Sequence, residues 1–168
     1  MTAVGTVGAV IIGMHAINRN DKNAKNQIVT NKLEELLELI KTLGKNYVTL
    51  KILHNDIINL RNPEFRELQT IAQYYEIRDS KLPLNERENL FNMLSRIEVL
   101  AKCYTSKKTK DSILKYEDLM YTMTELATTT ASISETLNWN DGFPTYEEFY
   151  GMLTNIEKKL IKKITGKK

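Results

Sequence analysis

A heptad pattern of apolar residues runs along the chain from Ile28 to Ile57. These residues recur at alternating steps of three and four positions over about four repeats, which predicts one long helix packed along a narrow seam. Leu37, Leu39 and Ile58 widen the seam, as is typical of a helix in a bundle. Gly44 falls within the helix and marks a bend or a close approach of another helix. The seam positions are Val29, Leu33, Leu36, Ile40, Leu43, Tyr47, Leu50, His54 and Ile57.

Helical spacing continues after Asn62–Pro63, which ends the long helix and caps the next, and no strand-type alternation of any length appears. Three polar stretches separate the later helices: 79–84, 105–110 and 138–144. Asn85 with Glu88, and Thr145 with Glu148, have the spacing of a capping box. The inward faces are predicted at Phe65, Leu68, Ala72 and Tyr75, at Leu90, Leu94, Ile97, Ala101 and Tyr104, at Ile113, Met120, Met123 and Ala127, and at Tyr146, Phe149, Leu153, Ile156 and Leu160.

These patterns predict an all-α fold. It is a helical bundle of about five amphipathic helices, with a short apolar N-terminal helix and one long heptad-patterned helix. We divide the chain into an apolar N-terminal segment (1–18), a polar linker (19–27) and a helical bundle domain (28–168).

The N-terminal segment Ala3–Ile17 carries no charge, and Arg19, Asp21, Lys22 and Lys25 follow it closely. A helix that is apolar on all sides has to be buried in lipid or in protein. Within it, Gly5, Ala9 and Gly13 are spaced by four and form one face of small residues, the pattern that lets two helix backbones approach closely.

Three interpretations of the apolar segment remain open. A membrane anchor would place the bulk of the protein in the cytoplasm by the positive-inside rule, but 15 residues make only about 22 Å of helix against a hydrocarbon core of about 30 Å. An assembly helix would instead lie in protein, within its own bundle or between copies. A cleaved signal peptide fits poorly, because no Lys or Arg precedes the apolar run.

Candidate chemistry is sparse. The chain has two histidines and one cysteine, and it contains no HExxH, no phosphate-binding GxxxxGK[ST] loop, no GxGxxG and no GxSxG. His54 occupies a seam position, where a polar residue more often fixes register than catalyses. Cys103 lies in an apolar helical run and is expected to be a buried, inert thiol. We therefore predict no enzyme activity, no catalytic residues, no cofactor and no metal.

The C-terminal helix carries a basic surface of Lys158, Lys159, Lys162 and Lys163. Three interpretations compete: a solvated helix end that suits the helix dipole, contact with an anionic membrane, or contact with nucleic-acid phosphate. The net charge of +3 is small, which makes nucleic acid the least favoured partner.

The stretch from Leu90 to Ala101, with Glu98 and Ala101 in the matching places, resembles a motif of an uncharacterised bacterial and prophage family. That family has one N-terminal membrane segment and a helical cytoplasmic domain. The resemblance implies location and architecture, and no activity.

Together these features predict a non-enzymatic helical interaction protein that is membrane-associated and self-associating, and phage- or prophage-encoded. Its packing and oligomerisation residues would be Gly5, Ala9, Gly13, Leu36, Ile40, Leu43 and Tyr47. The first alternative is a soluble structural subunit, cytoplasmic or within a viral assembly, whose N-terminal helix packs into neighbouring copies. The second is a small helical inhibitor or nucleic-acid-binding factor that uses the Lys-rich C-terminus.

Overall fold

The computed structural model describes residues 3–61, 70–128 and 143–166, and it describes side chains for residues 21–60, 70–128 and 143–166. These residues form six helices and no strand, so the predicted all-α bundle is confirmed. The cap at Asn62–Pro63, the stripe positions Phe65 and Leu68, and Trp139 lie outside the described residues. The helices are α1 (Ala3–Gly44), α2 (Tyr47–Arg61), α3 (Ile71–Lys81), α4 (Leu84–Tyr104), α5 (Lys107–Thr128) and α6 (Tyr146–Ile164).

Helix α5 organises the bundle, because it packs against α4, α2 and α6. Helix α1 packs against α4 and α6, and α3 packs against α2. The predicted inward faces of the last three helices are largely confirmed, with Tyr104 only half-buried and Tyr146 exposed at the rim. Buried there are Leu90, Leu94, Ile97 and Ala101 of α4, Ile113, Met120, Met123 and Ala127 of α5, and Phe149, Leu153, Ile156 and Leu160 of α6.

The single long helix predicted over the heptad seam is wrong in one respect: it is two helices. The backbone tightens after Gly44, where Lys45 N–H donates to Thr42 O at 3.3 Å and Asn46 N–H donates to Leu43 O at 3.0 Å. Helix α2 then begins at Tyr47. The two-residue turn keeps the three-four spacing intact, so the periodicity of the sequence cannot reveal it.

Gly44 lies where other helices pack closely against α1. A Cβ built on it would lie 3.1 Å from Leu153 Cδ2 and 3.3 Å from Tyr116 Oη, so α6 and α5 both meet the end of α1 at this residue. The expected close approach at Gly44 is therefore present, together with the expected bend.

We predict that Gly44→Val lowers the free energy of unfolding by about 1–3 kcal/mol, because two further methyl groups have no room beside Tyr116. Gly151 in α6 is the matched control, since a Cβ there would meet nothing within 4 Å. Gly151→Ala should stabilise the protein by up to about 1 kcal/mol through helix propensity. Urea unfolding of both variants measures this, and equal effects of the two substitutions would contradict the packing at Gly44.

Residues 19–27, predicted to be a polar linker, continue α1 without a break. The apolar segment, the polar stretch and the start of the bundle thus share one 42-residue helix, and there is no separate short N-terminal helix. Asn and Lys residues are adequate helix formers in a window without Gly or Pro, and residues 14–43 contain neither.

Helix starts differ from the prediction at two places. Helix α4 begins after Pro83 without a side-chain cap, so the capping box expected at Asn85 and Glu88 is wrong, and α5 begins at Lys107, inside the predicted turn. The capping box of Thr145 and Glu148 is confirmed. A second capping box, which we did not predict, forms between Thr70 and Gln73 at the start of α3.

The predicted inward face of α3 is also wrong. Ala72 is exposed and Tyr75 is half-buried, whereas Tyr74 is buried. The Tyr74 hydroxyl donates to Ala127 O at 3.1 Å, which joins α3 to the end of α5. The helix has only 11 residues, too few for the apolar spacing to define a face.

Candidate interaction site on the N-terminal arm of α1

The first part of α1 leaves the bundle. Leu33 is the first buried residue of the described side chains, and residues 21–29 are all exposed. Nine consecutive residues cover every face of two and a half helical turns. No described helix therefore covers residues 21–29 of α1 on any side. We call residues 3–29 the N-terminal arm; it is about 40 Å of continuous helix.

A charged cluster lies where the arm meets the bundle. Glu35 accepts from Arg96 Nε of α4 at 2.6 Å and from Lys32 Nζ at 2.6 Å. These two hydrogen bonds lower the pKa of the Glu35 carboxyl to about 2. The Glu35 side chain is 33% exposed and that of Arg96 45%, so the contribution of this ion pair to stability is small.

The apolar end of the arm carries the small-residue positions. Gly5, Ala9 and Gly13 all fall within the helical part of α1, where the spacing of four keeps them on one face. Their role in packing stays a prediction. Among the helices that the structure describes, none combines the length and the apolar character needed to cross a bilayer.

The other predicted oligomerisation residues lie in the core of the single chain. Leu36, Ile40, Leu43 and Tyr47 are each 0% exposed. The carbonyl of Ile40 accepts from the Tyr116 hydroxyl at 2.9 Å, and the Tyr47 ring stacks on Phe149 at 3.7 Å between centroids. A second chain cannot contact these four residues unless the bundle opens. These four residues of the heptad seam therefore serve folding, and the exposed part of α1 that the structure describes before the bundle is residues 21–29.

Tyr47 illustrates how the core closes around the turn between α1 and α2. Its hydroxyl donates to Pro144 O at 2.6 Å, and Lys51 Nζ donates to the same carbonyl. Burial raises the pKa of Tyr47 to about 12, so the hydroxyl keeps its proton and remains a donor. These two hydrogen bonds connect the start of α6 to the start of α2.

The predicted basic surface on α6 is partly used within the chain. Lys159 Nζ donates to Ser112 Oγ at 2.8 Å, and Lys163 Nζ donates to Tyr104 O at 2.6 Å. Lys158 and Lys162 are exposed. Two of the four lysines thus bind α5 and the end of α4, which favours the solvated-helix interpretation over a dedicated phosphate-binding surface.

Of the residues considered for chemistry, His54 and Cys103 lie where the structure describes side chains. The His54 ring packs edge-on against Phe143 at 4.5 Å. Cys103 is exposed, so the expectation of a buried thiol is wrong. It lies on the outer face of α4, two residues after the buried Ala101. Within the described part of the chain, no group of three His, Cys, Asp or Glu residues is placed to hold a metal ion.

Glu117 is a carboxyl whose pKa is strongly raised. It lies half-buried on α5, and burial together with the nearby Glu98 and Asp118 raises its pKa to about 7. Lys102, which could neutralise it, is held by Glu98 at 2.5 Å. The charged form of Glu117 is therefore disfavoured in the folded protein.

We predict that the bundle loses stability as pH rises from about 4.5 to about 7, because the unfolded chain releases the Glu117 proton more readily than the folded one. Glu117→Gln should raise the free energy of unfolding at pH 8 by about 1–2 kcal/mol, after allowance for solvent screening, and by little at pH 5. Unfolding at the two pH values measures this. Glu76→Gln, at an exposed position of α3, is the control, and an equal gain at both pH values would contradict the assignment.

Sequence signals for these features were uneven. The apolar segment follows from the change from apolar to polar composition at Asn18. The exposure of residues 21–29 and the hydrogen bonds from tyrosine hydroxyls to main-chain carbonyls have no sequence signature. Comparisons with protein-family models, with curated proteins and with solved structures found no match to this chain, so the resemblance to a prophage family stays a prediction.

Proposed function

We propose that this protein is a non-enzymatic helical interaction protein whose association element is the N-terminal arm of α1. One observation carries the proposal: residues 21–29 are exposed on every face of a continuous helix that ends in an uncharged apolar segment. An isolated helix of this kind gains little stability from its own propensity, and its apolar surface requires a partner.

The packing of the bundle supports the assignment of association to the arm. Its core begins at Leu33 and draws on all six helices, so it does not need the arm for burial. The heptad residues Leu33, Leu36, Ile40 and Leu43 of α1 are buried within the chain. Two of the four lysines of the basic surface on α6 donate hydrogen bonds to other residues of the same chain. We therefore assign partner binding to the arm, whose apolar segment is uncharged from Ala3 to Ile17.

The alternatives for the function of the arm differ in what surrounds the apolar segment. A protein partner would bury it in a helix–helix interface, as expected for a structural or assembly subunit. A membrane would bury it in lipid, with Arg19, Lys22 and Lys25 near the headgroups and the bundle in the cytoplasm. Association through the basic face of α6 with nucleic acid is the third and least supported route.

The test compares the full chain with Val10→Asp, which places a charge in the middle of the apolar segment. Sedimentation velocity measures association without lipid, and flotation with anionic phospholipid vesicles measures membrane binding. We expect the parent to associate in at least one assay and Val10→Asp in neither, with unchanged helicity. Asn55→Asp, at an exposed position of α2, is the control. A parent that remains monomeric and does not float, or a Val10→Asp variant that still associates, would overturn the proposal.

A further inference from the structure

A shallow groove lies on the exposed face of α1, in the part of the helix that belongs to the bundle. Its volume is about 370 Å³. Five of the six residues that line it are exposed and Leu37 is half-buried, so this face of α1 is open. The lining residues span about three turns of helix. They are Glu34, Leu37, Glu38, Lys41, Thr42 and Lys45.

The four charged residues of the groove have no opposite charge to pair with inside the chain. Two glutamates come first and two lysines follow, and within each pair the spacing is four, at which like charges repel on a helix. None of the four forms an ion pair with another residue whose side chain the structure describes. Glu38 and Lys41 stay apart, whereas Lys32 and Glu35, also three residues apart on α1, pair at 2.6 Å.

The lining positions are symmetric about the midpoint between Leu39 and Ile40. Reversing the helix about this midpoint exchanges every glutamate of the groove with a lysine. No other antiparallel register sets all six lining positions against one another. A parallel pair in register would instead place glutamate against glutamate and lysine against lysine. The facing pairs of the antiparallel register are Glu34 with Lys45, Glu38 with Lys41, and Leu37 with Thr42.

We infer that a second copy of this chain packs antiparallel against the groove, around a twofold axis at its midpoint. Two identical antiparallel helices are related by such an axis, so each Glu–Lys contact occurs twice in the pair. The charges that repel within one chain then face opposite charges of the other. This pairing is independent of the role proposed for the arm, because the twofold axis directs the two arms away from each other.

The pair is weak, because the groove is short and its contacts are mainly ionic. Residues 34–45 make about 18 Å of helix, and two such helices bury far less than the roughly 1,200 Å² at the lower end of stable interfaces. Exposed ion pairs each contribute little and are screened by salt. We therefore expect a dissociation constant near the millimolar range. At the low micromolar concentrations of sedimentation velocity the groove stays unpaired, so the tests of the arm and of the groove give separate answers.

Charge exchange tests the pairing in the full chain with Val10→Asp, which removes the contribution of the arm. Glu38→Lys sets lysines of the two copies against each other and should raise the dissociation constant at least about ten-fold. Lys41→Glu should do the same by opposing glutamates. Glu38→Lys together with Lys41→Glu reverses both charges and should restore the original constant. Small-angle X-ray scattering over a concentration series that reaches millimolar, at low salt, measures all four chains.

Glu76→Lys, the same charge change at an exposed position of α3, is the control and should leave the constant unchanged. Because every substituted position of the groove is exposed as well, each variant should fold, which circular dichroism checks. Added salt should weaken the original pair. A chain that stays monomeric at millimolar concentration, a constant that Glu38→Lys leaves unchanged, or a double exchange that does not restore association would overturn the antiparallel pair.

Discussion

Replacing Phe149 by alanine should lower the free energy of unfolding by about 3–5 kcal/mol, the range for loss of a fully buried phenylalanine. Phe149 is 0% exposed and lies where three helices meet. Its ring stacks on Tyr47 with an interplanar angle of 2°, and it lies 5.9 Å from the Tyr116 ring between centroids. Truncation leaves a cavity beside two tyrosines whose hydroxyls are held by main-chain carbonyls, so the rings cannot readily collapse into it.

The next residue provides the control for this substitution. Tyr150 is on the same turn of α6 but is 46% exposed, so Tyr150→Ala should cost less than about 1 kcal/mol. Urea unfolding followed by circular dichroism measures both. Comparable losses for Phe149→Ala and Tyr150→Ala would contradict the placement of α6 against the turn between α1 and α2.

Leu36→Ala should cost about 2–5 kcal/mol, and Ile28→Ala should cost the bundle less than about 1 kcal/mol. Both residues belong to α1, eight positions apart, and both are apolar. Leu36 is 0% exposed inside the chain, whereas Ile28 lies outside the core. The contrast measures where α1 stops being part of the bundle.

Protein concentration separates a core role from an interface role for Leu36. Because Leu36 packs within its own chain, its substitution should cost the same at low and high micromolar concentration. A cost that disappears on dilution would show that Leu36 faces another copy. Ile28→Ala is expected to behave in the opposite way, with little effect on unfolding and a measurable weakening of association.

The buried faces of the bundle can be predicted from the sequence, because apolar residues at helical spacing mark the face of a helix that is buried. Leu33, Leu36, Ile40 and Leu43 were predicted as one seam and are all buried. The spacing does not show whether the helical backbone is continuous, so the turn after Gly44 could not be predicted from the sequence. Val29 continues the seam in sequence, yet it is 36% exposed, because no helix of the described bundle reaches that far.

Tertiary contacts decide the features that the sequence did not predict. The face of α3 is set by the hydrogen bond of Tyr74 to a carbonyl 53 residues away, which no local pattern encodes. The polar residues 19–27 suggested a linker, because hydrophilic runs are common in loops. They lack Gly and Pro, and the structure extends the helix through them. The candidate site itself was predicted as an apolar segment, while the exposure of residues 21–29 and the continuous helix that joins the segment to the bundle required the structure.

The central claim is that α1 consists of a buried half and an arm that binds a partner. Amide hydrogen exchange at two protein concentrations tests this claim most directly. Amides of residues 37–43 should exchange as slowly as the core of α5 at both concentrations. Amides of residues 21–29 should exchange about a hundred times faster or more in dilute protein, and should slow as concentration rises. Equal, concentration-independent protection of the two stretches would contradict the account, because it would show that the arm is covered by its own chain.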